Sequence, residues 1–263
     1  MKTKHIILLL SLPLLIQCNQ KENSDQQQID KKLEQYEKVQ LSSGLIHDLS
    51  ANQQEMLTYL FDAAQIMDNL FWKEAFTGDQ EELLKKADSK ALKKFIKINY
   101  GPWDRLHNNK PFMPGYGPKP KGANFYPSDM TKAEFKAFED TTKTSLYTLV
   151  RRDEHGKLMT IPYHEAFEEE VNKAADLLEK AAGLAENTSF ANYLSKRAQA
   201  FRTDEYLESD MCWMDVKNNA VEFVAGPIEN YEDRLFGYKA AHEAFVLLKD
   251  KEWSQKLDRY NGL

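Results

Sequence analysis

Cysteine is scarce in this chain, with Cys18 and Cys212 the only two among 263 residues. If Cys18 is modified, as its context below predicts, no intrachain disulfide framework is possible, which excludes the small disulfide-stapled class of secreted proteins. Cys212 lies in the apolar run from Met211 to Met214 and is predicted to be a small buried residue of a strand. No histidine partner is evident for it in the sequence, so the pattern does not favour a cysteine nucleophile.

An excess of basic residues is also missing. The chain has 35 Lys and Arg against 41 Asp and Glu, a formal net charge of −6. A nucleic-acid-binding protein needs a clustered basic face. The composition therefore predicts no nucleic-acid partner.

The longest apolar run, Ile6 to Ile16, is shorter than the roughly twenty residues that a membrane-spanning helix needs. With Lys2 and Lys4 before it, the run is typical of an export signal, and residues 1–17 are predicted to be a signal peptide. The following polar segment, residues 18–40, is predicted to be a flexible tether.

The end of the apolar run, Leu15 to Cys18, resembles a bacterial lipobox, in which the cysteine is lipidated. Gln17 departs from that pattern, because a small residue usually precedes the cysteine. An ordinary signal peptide with an incidental Cys18 is the alternative. As a lipoprotein, the exported chain would be anchored by Cys18 to a bacterial membrane, on the periplasmic side or the cell surface.

Several catalytic motifs are absent. The sequence has no Gly-x-Ser-x-Gly elbow, Walker loop or Gly-x-Gly-x-x-Gly fingerprint. Zinc helices need a second histidine one turn after the first. Two His-Glu-Ala-Phe sites, beginning at His164 and His242, have Glu168 and Val246 in that place. Neither is a zinc motif; weak metal binding by His164 and Glu168 is one interpretation, and a solvated helix face is the other.

The elements that are present indicate a helix-dominant α+β domain over residues 41–263. Capping boxes at Ser50–Gln53 and Thr131–Glu134 mark two helix starts. Helices are predicted over 51–76, 80–86, 91–98, 131–140, 163–182, 190–201 and 236–249. A hairpin is predicted from strands 146–152 and 157–162, and a second from strands 211–216 and 220–228.

Residues 99–129 hold six prolines and six aromatic side chains. The prolines exclude helix over most of the segment. A disordered linker would not be so aromatic. We therefore expect an ordered loop that packs its rings on the domain.

The strand ending at Ile228 is followed by an acidic segment with one tyrosine, Glu229 to Asp233. Strand alternation puts Glu229 and Tyr231 on the same side. A carboxylate can hold a cationic amine, and a phenol can donate to a carbonyl, which together would recognise a peptide amino terminus. An exposed acidic turn is the alternative interpretation.

One distinctive block of sequence is Gly226-Pro-Ile-Glu-Asn-Tyr-Glu-Asp233 with Glu243-Ala-Phe245. A second is Tyr100-Gly-Pro-Trp-Asp104 with Phe125-Tyr-Pro-Ser-Asp-Met-Thr131. Together they resemble the bacterial branch of the dipeptidyl-peptidase III family of zinc metallopeptidases. The resemblance covers roughly residues 41–263. It implies the lower, non-zinc domain of that fold, with a small β-barrel or two β-hairpins surrounded by helices.

The resemblance also implies functions. Glu229 would contact the ammonium group of an oligopeptide substrate, Tyr231 would stabilise the oxyanion, and Glu243 would be a second acidic cleft residue. The whole family protein would use zinc to release dipeptides from peptide amino termini. The zinc motifs do not occur in this chain, so we expect the chain to be inactive by itself. The partner that it would need is the C-terminal catalytic portion of the family protein, which we expect to be missing here. A non-catalytic peptide-binding lipoprotein is the alternative.

Overall fold

The computed structural model describes residues 27–37, 39 and 44–258. The predicted signal peptide, Cys18 and much of the predicted tether lie outside the described residues. Within the described part, no helix combines the length and apolar character needed to cross a membrane.

Helices dominate this part of the chain, and the strands are short. The helices are α1 (27–33), α2 (Gly44–His47), α3 (Ala51–Ala75), α4 (Gln80–Lys85), α5 (Lys90–Asn99), α6 (Lys132–Ala137), α7 (Tyr163–Ala166), α8 (Glu168–Leu184), α9 (Thr188–Thr203), α10 (Leu207–Met214) and α11 (Lys251–Asp258). The strands are β1 (Trp103–Asp104), β2 (Lys110–Pro111), β3 (Thr148–Arg152), β4 (Leu158–Pro162), β5 (Val221–Glu229) and β6 (Ala241–Leu248). The predicted helix-dominant α+β class is confirmed.

Helix α3 is the central element. Its start is the predicted capping box, in which the Ser50 hydroxyl accepts from the backbone N–H of Gln53 at 3.2 Å. Apolar residues at helical spacing, among them Leu60, Met67 and Leu70, are fully buried. The helix packs against α8 on one side and the β5–β6 pair on the other, so it links the helical part of the core to the strands.

The described strands form three separate antiparallel pairs, β1–β2, β3–β4 and β5–β6, and they do not close into a barrel. The β3–β4 pair is the predicted first hairpin, with Leu149 opposite Ile161. In the β5–β6 pair, Gly226 lies opposite Glu243, and a register shift occurs between Pro227 and Glu229.

Two predicted elements were wrong. Residues Met211–Met214 belong to helix α10 and not to a strand, and the predicted last helix is strand β6. Strand β5 therefore pairs with β6, which buries Phe223 and Ala225 in the main core. This tertiary pairing outweighs the local preference of the Ala-rich segment for helix.

Cys212 accordingly lies on α10, half-buried, and its Sγ accepts from Asn192 Nδ2 at 3.2 Å. The predicted helix over 163–182 is interrupted at Phe167, whose φ of −125° separates α7 from α8.

The aromatic-proline loop, residues 99–129, is ordered as predicted. Phe112 packs on Phe95 of α5 with ring centroids 4.6 Å apart, and Trp103 packs on Phe76 at 5.9 Å. The Trp103 indole donates to the backbone carbonyl of Gly117 at 2.8 Å. The loop therefore forms a fixed wall beside the end of β5.

Candidate functional site

The three predicted site residues lie at one end of the β5–β6 pair. Glu229 is the last residue of β5, Tyr231 follows in the turn, and Glu243 lies on β6. The Tyr231 hydroxyl donates to Glu243 Oε1 at 2.6 Å. Glu229 is exposed, and within the described part of the chain its carboxylate makes no hydrogen bond or ion pair.

The protonation of Tyr231 is controlled by this cluster. The hydrogen bond to Glu243, followed by partial burial and the negative charges of Glu243 and Glu229, raises the pKa of Tyr231 to about 12, although Arg105 opposes the rise. The phenol is neutral at physiological pH even at its ordinary pKa, and the raised pKa keeps it neutral in alkaline solution as well. A neutral phenol carries the proton that a hydrogen-bond donor to a carbonyl oxygen needs.

A second tyrosine–carboxylate pair lies nearby. The C-terminal cap of α5, Tyr100, has a left-handed backbone with φ of 51°, and its hydroxyl donates to Asp68 Oδ1 at 2.5 Å. Burial, the hydrogen bond to Asp68 and the charge of Glu243 all raise the pKa of Tyr100 well above its ordinary value. Helices α3 and α5 thus bring a further carboxylate and phenol towards Glu243.

The residue after Tyr231 has the opposite surroundings. Glu232 is 5% exposed, and its carboxylate accepts from Arg105 at 2.8 and 3.3 Å and from Lys119. Burial would raise the pKa of Glu232, but the charges and hydrogen bonds of Arg105 and Lys119 outweigh it and hold that pKa below the ordinary value. Glu232 is therefore ionised and neutralised by its own partners.

The balance of charge around Tyr231 is negative. Glu229 and Glu243 are carboxylates, whereas the Arg105 guanidinium is already paired with Glu232. An ammonium group is the complementary ligand, because it has donors for carboxylates and no acceptor. Glu229, which is exposed and has no hydrogen-bond or ion-pair partner among the described residues, is the carboxylate best placed to receive it.

Neither His-Glu-Ala-Phe site forms a metal centre. His164 Nδ1 lies 2.8 Å from Asp204 Oδ2, while Glu168 is exposed beyond the break at Phe167. His242 is fully buried, with Nδ1 2.6 Å from Glu74 Oε1. In the described part of the chain, no group of three or more His, Cys, Asp or Glu side chains is arranged to hold a metal ion.

His242 has a structural environment, which the sequence did not reveal. Its backbone N–H donates to Glu74 Oε2 at 2.8 Å, so one buried carboxylate of α3 bonds the residue twice. Its ring packs on Tyr163 and Phe167 with centroids 5.3 and 5.7 Å away. The pair fixes β6 to α3 and thereby fixes Glu243, the next residue.

Sequence reasoning missed most of the residues that surround Tyr231. Asp68 lies on the polar side of an amphipathic helix and carries no signal of its own. Arg105 and Lys119 lie in the aromatic-proline loop, and their partner Glu232 is 127 and 113 residues away. Tyr100 is within a block that the resemblance singled out, but nothing local assigned it a partner.

Comparisons with known proteins agree with the resemblance. Residues 135–260 match peptidase family M49. The structure of dipeptidyl-peptidase III from Caldithrix abyssi is 42% identical, with a TM-score of 0.77, covering 84% of this chain and 44% of that one. The Corallococcus sp. strain EGB dipeptidyl-peptidase III is 35% identical with the same TM-score, covering 86% and 44%.

Nudix hydrolase 3 of Arabidopsis thaliana is also similar, at 29% identity over 84% of this chain and 36% of its own length. The chain therefore spans less than half the length of each of these relatives.

Proposed function

We propose that Glu229, Tyr231 and Glu243 bind the free amino end of an oligopeptide, because residues 135–260 match peptidase family M49 and the chain is similar to two bacterial dipeptidyl-peptidase III structures. The cluster would be the substrate-holding part of a zinc-dependent dipeptidyl-peptidase. The observation that carries the proposal is the Tyr231–Glu243 hydrogen bond beside the carboxylate of Glu229, which has no partner in the part of the chain that the structure describes.

In this proposal each side chain has a separate task. Glu229 accepts N–H bonds from the peptide ammonium, a charge-assisted interaction. Tyr231 turns its hydroxyl from Glu243 to a substrate carbonyl, and the same donor stabilises negative charge that develops on that oxygen. Glu243 holds the phenol hydroxyl oriented until the peptide arrives.

Release of dipeptides is proposed for the whole family protein, in which zinc would activate the attacking water. The described residues of this chain do not fit a zinc site, so no hydrolytic step is assigned to them. We propose that the purified chain binds peptides without cleaving them. Release of naphthylamine from a dipeptidyl-naphthylamide by the purified chain, lost in Tyr231→Phe, would contradict this.

The binding proposal is tested by titration calorimetry with tetra-alanine and with N-acetyl-tetra-alanine. Tetra-alanine is expected to bind and the acetylated peptide to bind at least about tenfold more weakly, because hydrogen bonds to charged groups contribute about 1.5–3 kcal/mol. Glu229→Gln should weaken the binding of tetra-alanine and leave the binding of the acetylated peptide unchanged. Glu55→Gln, which alters an exposed carboxylate of α3, is the control; equal binding of both peptides would refute the proposal.

The membrane tether is proposed from the lipobox-like sequence at Cys18, and with it an exported, lipid-anchored location. A peptide-binding lipoprotein without catalysis has the same tether and the same peptide site. Labelling of the chain with radioactive palmitate in a bacterial host should disappear in Cys18→Ser. Labelling that survives this substitution would refute the anchor and leave the peptide-binding proposal untouched.

A further inference from the structure

The turn that carries Tyr231 is held by two neighbouring acidic residues with different partners. The first, Asp233, is 2% exposed and closes the turn on itself. Its carboxylate accepts from the backbone N–H groups of Leu235, Phe236, Tyr238 and Lys239, at 2.9–3.2 Å, and from the Tyr126 hydroxyl at 2.7 Å. Asp233 therefore sets the shape of the turn.

Glu232 instead connects the turn to a distant part of the chain. Both of its partners, Arg105 and Lys119, belong to the aromatic-proline loop. The Arg105 fork approaches both carboxylate oxygens, an arrangement that fixes orientation as well as distance. Glu232 therefore sets how the turn lies against the loop.

Arg105 is itself held rigidly. Its Nε donates to the backbone carbonyl of Asn99 at 2.9 Å, and its backbone N–H donates to the Asn99 side chain at 2.8 Å. The guanidinium lies over the rings of Phe71 and Tyr100, 5.0 and 5.6 Å from their centroids. A chain of contacts therefore runs from α3 and α5 through Arg105 and Glu232 to the backbone beside Tyr231.

We propose that Arg105 and Glu232 are positioning residues, which place the Tyr231 hydroxyl for donation first to Glu243 and then to the substrate carbonyl. This inference rests on the proposed peptide-binding function. Neither side chain is assigned a contact with the peptide. Both act through the backbone and the electrostatic surroundings of Tyr231.

The need for such support follows from the exposure of Tyr231. Its side chain is 58% exposed and, within the described residues, its hydroxyl has the single partner Glu243. The position of the ring therefore depends on the backbone of the turn. A displacement of about 1 Å in a catalytic group can cost roughly a hundredfold in rate.

The positioning is tested first without any peptide. In protein labelled with ¹³C at tyrosine Cζ, Glu243→Gln should shift the Tyr231 resonance, which Tyr231→Phe identifies. The same Glu243→Gln change is then made in proteins that already carry Arg105→Met or Glu232→Gln. There it should produce less than half of that shift, because the Tyr231–Glu243 hydrogen bond is already lost in these two backgrounds. An undiminished response in both backgrounds would overturn the proposal.

Arg152→Met is the matched control. Arg152, like Arg105, has a side chain that is 25% exposed and pairs with carboxylates, here Asp129 and Glu134. Its loss should leave the response of Tyr231 to Glu243→Gln unchanged. A reduced response in Arg152→Met would show that loss of any such arginine loosens the whole domain. That result would also overturn the proposal.

Peptide binding supplies the second readout. Arg105→Met and Glu232→Gln should each weaken the binding of tetra-alanine by at least about tenfold. Arg105→Lys, which keeps the positive charge but lacks the forked guanidinium, should bind tetra-alanine better than Arg105→Met does. Wild-type protein that fails to bind tetra-alanine would refute the proposed function, while the resonance shifts still decide the positioning. If Arg105→Met has lost the helical circular dichroism signal, that variant is unfolded and is set aside. The resonance shifts and the peptide affinities of Glu232→Gln and Arg105→Lys then decide the proposal.

Discussion

At the residue scale, the protonation of Tyr231 depends on the charge of Glu243. A carboxylate that accepts the phenolic hydrogen bond favours the neutral phenol over the phenolate. Glu243→Gln should therefore lower the pKa of Tyr231 from about 12 towards the ordinary value of about 10. The measurement is a pH titration of the Tyr231 ¹³Cζ resonance, with Glu55→Gln as the control.

The same pair has a predictable effect on stability. The folded-state pKa of Tyr231 is raised above the unfolded value, so the stabilisation is fully present below about pH 10 and is lost as pH rises through about 12. Glu243→Gln should remove this pH-dependent part. An unchanged Tyr231 titration in that variant would show that another group raises the pKa.

Lys239 is a second residue whose charge is perturbed, and it lies inside the protein. Its side chain is fully buried, and Nζ donates to the carbonyls of Lys143 and Ser145 at 2.9 Å and to Thr148 Oγ1 at 2.7 Å. Burial lowers the pKa of Lys239 to about 8, although the charges of Asp233 and Asp140 oppose the change.

The lowered pKa of Lys239 makes the stability of the protein depend on pH in the alkaline range. Between about pH 8 and the unfolded value near 10.4, the unfolded chain binds more protons, so stability rises with pH. The stability difference between wild type and Lys239→Met, from urea denaturation, should therefore be larger at pH 9.5 than at pH 7. Lys249→Met, at an exposed lysine, is the control; a difference that falls with pH would contradict the prediction.

At the scale of elements, strand β5 crosses the α9–α10 junction at a position that only glycine fills without strain. Gly226 has φ of +137°, and a Cβ there would lie 3.2 Å from the Tyr206 ring and 3.3 Å from Arg197 Nη1. Arg197 cannot move away easily, because it is 6% exposed, pairs with Asp210 and lies over the Tyr193 and Tyr206 rings.

Gly226→Ala should therefore lower the free energy of unfolding by about 1–3 kcal/mol, the range for a strained backbone residue. The matched control is Gly183→Ala in helix α8, where a new Cβ meets nothing within 4 Å. That change should stabilise the protein by about 0.5–1 kcal/mol. Urea denaturation of the two variants checks the opposite signs, and equal effects would contradict the strain at Gly226.

Local signals predicted the helices well. The starts of α3 and α6 follow from hydrogen bonds between residues three apart, Ser50 with Gln53 and Thr131 with Glu134, and such contacts can be read from a short window. The β3–β4 hairpin was equally local, since a five-residue connection, residues 153–157, joins its strands.

Non-local contacts decided the elements that sequence reasoning missed. Strand β6 has a sequence that also suits a helix, and its state is set by pairing with β5 and by the bond from His242 to Glu74, 168 residues away. The site shows the same division. The family resemblance pointed to Glu229, Tyr231 and Glu243, whereas the partnership of Arg105 with Glu232 could not be predicted from either local sequence.

At the scale of the whole molecule, the β5–β6 pair has one covered face and one open face. Val246 packs against the main core, while its neighbours Phe245 and Leu247 point outwards and are 49% and 51% exposed. Helix α10 adds four more exposed apolar side chains, those of Leu207, Met211, Trp213 and Met214. Exposed apolar patches bind hydrophobic dyes and promote association.

We therefore expect the purified chain to bind an anilinonaphthalene dye strongly in the folded state. Changing Phe245→Ser and Leu247→Thr together should reduce dye fluorescence severalfold and leave stability nearly unchanged, because neither side chain packs on the core. Val246→Thr, at the half-buried position between them, should have the reverse effect. It should lower the free energy of unfolding by about 1 kcal/mol, the low end of the range for placing a polar group against the core, without reducing dye binding. An exposed edge strand is a preferred site of association, which is why the dye is expected to bind β6. Dye fluorescence that persists in the double variant would show that the dye binds the apolar side chains of α10 and not those of β6.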